Sequence, residues 1–237
     1  PAAREHARGS MKALLDLERL SGVPGYLVRS MVTDNEIRAG VKGVNLEGLV
    51  HAPGDTSKIW FRSKVDPTLW CKGDTSSDAL VGPYFAFHLY YDLVADEAEK
   101  KDVADVVRRV TDRIVGGGLD LIGHTGNKTR WGIWSPEMIN HHPFSYDLRP
   151  LNSLEILAFL KVAEHVTGDP KYAKVAGDLI EKHHYLLNGL MMRRGPTGQW
   201  PDINHGDDEL LYMSYYPLLM MEKDPARRRI LAQSIAR

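Results

Sequence analysis

The feature that most constrains this chain is a repeated pairing of two kinds of helix. Residues 74–95 (DTSSDALVGPYFAFHLYYDLVA) are apolar almost all round, and in a water-soluble fold such a helix has to be covered on every side. After a very short turn, residues 97–115 carry Val103, Val106, Val107, Val110 and Ile114 on one face only, the pattern of a helix that covers another. The pairing recurs. Residues 152–167 are mostly apolar, Gly168 stops them, and Asp169-Pro170 supplies an N-cap and first-turn proline for a partner running to Asn188-Gly189. Residues 207–222 are apolar again, and Asp224-Pro225 opens a further partner with the same device. Pro83 lies nine positions after Asp74 and Pro217 nine after Asp208, which puts a kink at matching points of the first and third apolar helices.

Connections are short within each pair and long before each apolar helix. Inner helices surrounded by outer ones account for both the apolarity and the alternation, so the expected fold is all-α, a single domain over residues 1–237: an α/α toroid, or an arc of one, built from helical hairpins. About three and a half hairpins fall short of six, and the final residues read as a helix cut off in progress, so the chain is expected to be part of a longer protein. The long loops of such a ring gather on one face, at the N-terminal ends of the inner helices. A first helix, residues 2–20, ends at Ser21-Gly22-Val23-Pro24-Gly25, and the stretch to Lys72 is broken by Gly, Pro and Asp, with room for short strands such as residues 58–62.

The longest of the connections, residues 117–150, reads GGLDLIGHTGNKTRWGIWSPEMINHHPFSYDLRP. A loop of this length without regular structure is uncommon unless functional, and its Trp131, Trp134 and Phe144 need burial while its charged groups need partners. It reads as one wall of a binding cleft; the alternative is a packed structural loop.

Two further stretches join it. Residues 70–78 (WCKGDTSSD), 129–137 (TRWGIWSPE) and 152–155 (NSLE) resemble the six-hairpin, α/α-toroid glycosidase-like proteins, in particular poorly characterised bacterial members with such motifs. The resemblance covers about two thirds of the chain. It implies carbohydrate as the substrate class and acidic residues at the toroid mouth as the chemistry.

Candidate acids follow from position. Asp74 and Asp78 are four apart at a helix start, on one face; they read either as a base or ligand pair or as caps, since Thr75-x-x-Asp78 is a capping box. The helix dipole favours the charged form there, so Asp74 suits a base better than an acid. Asp207, Asp208 and Glu209 open the third apolar helix, and capping explains only one of them. Glycoside hydrolysis needs one protonated and one ionised carboxyl group; Glu137, near two tryptophans, or one of Asp207 and Asp208 would supply the acid. Trp70, Trp131, Trp134 and Trp200 all lie in the long connections, as sugar platforms or as loop anchors. Lys72, Lys128, Arg130 and Arg149 would hold a uronate carboxylate or sulfate, or else are solvated. His124, Asn127, Arg130, Asn140, His141 and Tyr146 are the residue types a uronate lyase uses. A non-catalytic glycan-binding or scaffold module is the third reading.

Other classes are not supported. With 30 basic and 31 acidic residues interspersed, the chain has no electrostatic footprint for nucleic acid. Apolar runs are interrupted by His88, Lys161 and Ser214, so no membrane insertion is expected. Cys71 is the only cysteine; adjacent histidines (His141-His142, His183-His184) are a weak ligand pattern without an HExxH spacing, so no metal is expected. No P-loop, Rossmann fingerprint or Gly-x-Ser-x-Gly is present, and no cofactor is called for. The compartment stays open, periplasmic or secreted if a leader precedes this stretch.

Overall fold

The computed structural model describes residues 2–39, 59–145, 148–191 and 205–236. These residues are mostly helical, with two small antiparallel sheets. The helices are α1 (Ala2–Arg19), α2 (Asp34–Arg38), α3 (Asp78–Leu93), α4 (Glu97–Gly116), α5 (Arg149–Thr167), α6 (Pro170–His183), α7 (Tyr185–Asn188), α8 (His205–Met221) and α9 (Pro225–Ile235).

The apolar helices α3, α5 and α8 each pack on the other two, α4 and α6 flank α5, and α9 lies on α8. Residues 151–160 of α5 are all buried, as expected of a segment with neighbours on every side. Sequence signals for helix ends are realised as local bonds. Asp96 accepts from the N–H groups of Ala98 and Glu99 in a capping box that opens α4, Asp169 and Asp224 cap α6 and α9 ahead of their prolines, and Gly168 ends α5 at φ +68°. Pro83 and Pro217 both lie inside their helices.

The all-helical expectation needs one amendment. Strands β1 (Ser30–Thr33), β2 (Trp60–Arg62) and β3 (Leu69–Lys72) form a sheet in the order β1-β3-β2, with Ser30 opposite Lys72 on one side and Arg62 opposite Trp70 on the other. Strands β4 (Asp120–Ile122) and β5 (Lys128–Ile133) pair as a hairpin. Part of the expected irregular wall 117–150 therefore has regular structure, because β4 and β5 pair and Gly126, at φ +86°, allows the turn between them. Residues 137–141 add one π-helical turn.

One turn is tied to the helical core with little tolerance. Gly25 has φ +71°, and a Cβ there would lie 2.3 Å from the main-chain oxygen of Arg109 on α4. Its N–H donates to Glu18 Oε1 at 2.8 Å, and Arg109 donates to both Glu18 oxygens at 2.8 and 2.6 Å. Gly25→Ala is expected to destabilise the protein by about 3 kcal/mol, from left-handed strain plus overlap with backbone that cannot turn aside. A urea midpoint unchanged from wild type would refute this.

Candidate functional site

The N-terminal ends of the three apolar helices meet at one cleft of about 620 Å³. Ser76, Ser77 and Asp78 arrive from the start of α3, Leu148 and Leu151 from α5, and Gly206, Asp207, Glu209 and Leu210 from α8; Trp131 on β5 and Arg29 complete the lining. Carboxylates from two helix starts thus face one space, beside an indole ring that is 50% exposed.

The start of α3 differs from the sequence reading. The helix begins at Asp78 rather than Asp74, and Thr75 does not cap it, because Thr75 Oγ1 donates to the Leu27 carbonyl at 2.8 Å. Asp78 instead accepts a hydrogen bond from the Ser76 hydroxyl. Asp74 stands outside the helix at φ +52°, and its carboxylate accepts the Arg130 N–H at 3.0 Å. The expected sharing of one helical face by Asp74 and Asp78 is therefore corrected: Asp74 ties the entry to α3 to strand β5, while Asp78 lines the cleft.

The tryptophans separate in the same way. Trp131 is exposed on the cleft, but Trp134 is fully buried, edge-on to Phe159 at 5.6 Å. Trp70 lies in the first sheet, donating to Asp34 Oδ1 at 3.0 Å with the Arg62 guanidinium 4.1 Å from its ring centre. Trp200 lies outside the described residues, as does Tyr146.

Of the polar candidates, Lys128 is ion-paired with the buried Asp120 at 2.6 Å, Lys72 lies 5.9 Å over the Trp60 ring, and His124 stacks on Phe61 at 4.0 Å. Arg149 donates to the carbonyls of Ile139 and Asn140, and Asn140 bridges His183 and Asn188. Asn127 is exposed in the β4–β5 turn, Arg130 is exposed on β5, and Glu137 and His141 are exposed at the two ends of the π-turn. Asp208 is half-buried beside Asp207. Among the described residues no group of three or more His, Cys, Asp or Glu is arranged to hold a metal ion, and no helix is long and apolar enough to cross a membrane.

Two acidic residues escaped the sequence reading. Asp120 is fully buried and accepts from the N–H groups of Trp134 and Ser135, the Ser135 hydroxyl and Lys128. That set fixes the chain where Trp134 turns inward. The Trp134 indole N–H in turn donates to Glu155 Oε2 at 3.0 Å. Glu155 is fully buried on α5, and its Oε1 has no hydrogen-bond partner among the described residues. Burial pushes its carboxyl up to about 8; the Trp134 and Ser77 side chains pull it down, and the charges of Asp78 and Asp207 push it further up. Glu155 is thus a neutral acid at pH 7 within electrostatic reach of both cleft aspartates. The signal that could have found it is the acidic residue inside an apolar run, since a buried polar group is the informative exception.

No protein-family model, no curated protein and no solved structure matches this chain.

Proposed function

We propose that the cleft hydrolyses glycosidic bonds, with Asp78 and Asp207 as the carboxyl pair and Trp131 as the platform for a sugar ring. The observation that carries this reading is the arrival of carboxyl groups from two helix starts, Asp78 from α3 and Asp207 and Glu209 from α8, in one cleft that apolar side chains and an exposed indole also line. Asp78, at a helix N-terminus where the charged form is favoured, takes the base or nucleophile role. Asp207, from the other side, gives its proton to the departing glycosidic oxygen. The indole face suits the C–H face of a pyranose.

The motif likeness to six-hairpin glycosidase-like proteins supports the same chemistry. For the arrangement of hairpins we propose a ring, and the support is that α3, α5 and α8 each touch the other two. That is a tighter closure than six hairpins would give.

Hydrolysis is favoured over elimination by where the lyase-type residues lie. Asn140 is held by His183 and Asn188, and His124 is stacked on Phe61; neither lines the cleft. Arg29, which does line it, would hold a substrate carboxylate in a bidentate fork, so acidic glycans belong in the assay.

The test is reducing-end release from neutral and uronate polysaccharides, with absorbance of unsaturated uronate measured in parallel. Asp78→Asn is expected to lower kcat by about 10²-fold or more, and Trp131→Ala to raise KM by about tenfold with little change in kcat, the pattern of lost uniform binding. Unsaturated products would make the enzyme a lyase. Sugar binding that survives Asp78→Asn without any product would leave a binding module.

A further inference from the structure

One side of the seam between α3 and α8 is apolar and open to solvent. Tyr216 stands edge-on to Phe85 with ring centres 5.5 Å apart and 5.7 Å from the His88 ring, so it marks where the two helices meet. Tyr212 and Met220 lie four positions before and after Tyr216 on the same row of α8, and Leu93 lies eight after Phe85 on α3. Tyr212, Tyr216, Met220 and Leu93 are 58%, 42%, 66% and 67% exposed. Residues 79–91 and 210–221 include no acidic residue, lysine or arginine. Helix α5, of similar apolarity, is buried all along 151–160, whereas among the described residues nothing covers this row of α3 and α8.

At about 200 Å² for a fully exposed large side chain, the four present on the order of 450 Å² of apolar surface. A standard interface buries about 800 Å² on each partner, somewhat over half of it apolar, with Tyr and Met enriched at its centre. The row has the size and the residue types of one such centre.

Charge decides what fits it. Both helices start at the cleft, where Asp78 and Glu209 are exposed. They end together on the opposite side. There Asp92 is bonded to His165 at 2.8 Å, Lys223 is exposed, and Arg228 donates to the Leu219 and Glu222 carbonyls at the end of α8. Along α8 the row therefore runs from acidic to basic. Glu209 and Lys223 are each seven positions from Tyr216, so a two-fold axis passing at Tyr216, across the helix direction, sets each against the other. A second copy laid parallel instead would put like charges together. We infer that this chain forms a two-fold dimer through α3 and α8, with Tyr212, Tyr216 and Met220 at the centre and Glu209 of each copy facing Lys223 of the other. The antiparallel setting also opposes the helix dipoles, and the self-complementary contact closes at two copies. It brings positive charge to the rim of each cleft, whatever reaction the cleft performs.

Sedimentation equilibrium across the micromolar range is expected to show the mass rising from one chain to two and no further. Tyr212→Lys and Met220→Lys change side chains that already face solvent, so the fold is kept, as thermal unfolding of the dilute proteins checks. Each is expected to weaken association by about tenfold or more. Glu209→Lys and Lys223→Glu are each expected to weaken it several-fold, and the two together to restore it. A mass of one chain throughout overturns the dimer, and resistance of Tyr212 to nitration in that monomer would assign the face to another part of the same chain. A dimer that survives both lysine variants overturns the choice of face. A double charge exchange as weak as either single one overturns the antiparallel setting, and growth past two copies overturns the two-fold axis.

Discussion

Asp120→Ala is expected to destabilise the protein by on the order of 4 kcal/mol and to disorder the site with it. The carboxylate is fully buried and accepts from two main-chain N–H groups, one hydroxyl and one ammonium group. Lys128 is half exposed and returns to water when its partner goes. The Trp134 N–H keeps the Leu119 carbonyl at 3.0 Å as its acceptor, but the N–H and the hydroxyl of Ser135 both lose theirs, and each buried polar group left so costs about 1–3 kcal/mol. Asp120→Asn keeps an oxygen for the two main-chain N–H groups but sets an amide N–H₂ towards the lysine, so it should recover part of the loss and not all of it. Thermal or urea unfolding of the three proteins checks the order wild type, Asn, Ala. Because Asp120 locates Trp134, and Trp134 is bonded to Glu155, the Ala variant should also move the indole emission to longer wavelength below the unfolding transition. A variant as stable as wild type would mean that this buried network adds nothing.

The same residues show what a sequence reveals and what it does not. Helix boundaries made by chemistry within three or four residues were legible: the Asp-Pro starts of α6 and α9 and the Gly168 stop each act on adjacent backbone, and the apolarity of α5 announced its burial. The start of α3 was misplaced by four residues because Thr75 bonds to Leu27, 48 positions away. The β4–β5 hairpin went unseen because its strands are short and carry no period-two burial pattern. Trp131 and Trp134 look equivalent in the chain, three apart in one motif. Their fates differ because β5 directs Trp131 outward, whereas Asp120, 14 positions before Trp134, pulls the chain inward at the second. Glu155 stood in a motif noted for its likeness to other proteins, yet as an inner-helix residue it offered no reason to be placed at the mouth. That reason is tertiary: the cleft lies over the first turns of α5, and the neighbouring carboxyl groups come from α3 and α8.

Glu155 also sets an expectation for stability that is opposite in sign to ordinary acid denaturation. Its carboxyl is raised from 4.5 in the unfolded chain to about 8 in the fold, so between those values the native state holds a proton that the unfolded state has released. Stability from this group is fully present below about pH 4.5 and is lost as pH rises through about 8. Each tenfold change in proton affinity corresponds to about 1.4 kcal/mol, so the full loss is on the order of 5 kcal/mol. Glu99 and His88 are among the groups that act in the opposite direction. Glu99, held near 2 by Arg8 and the Asp96 N–H, loses its contribution only as pH falls below 4.5, outside this window. His88, lowered from 6.5 by burial, destabilises the fold as pH falls below 6.5 and so overlaps the acidic half of it. The comparison with Glu155→Gln removes that overlap, because His88 is common to both proteins. Between pH 5 and pH 8 the stability of wild type relative to the variant should decline steadily, the variant becoming the more stable at the alkaline end. Urea unfolding at half-unit intervals measures the difference directly. Parallel curves would mean that Glu155 is already ionised in the fold, and with it the neutral acid beneath the cleft would be gone.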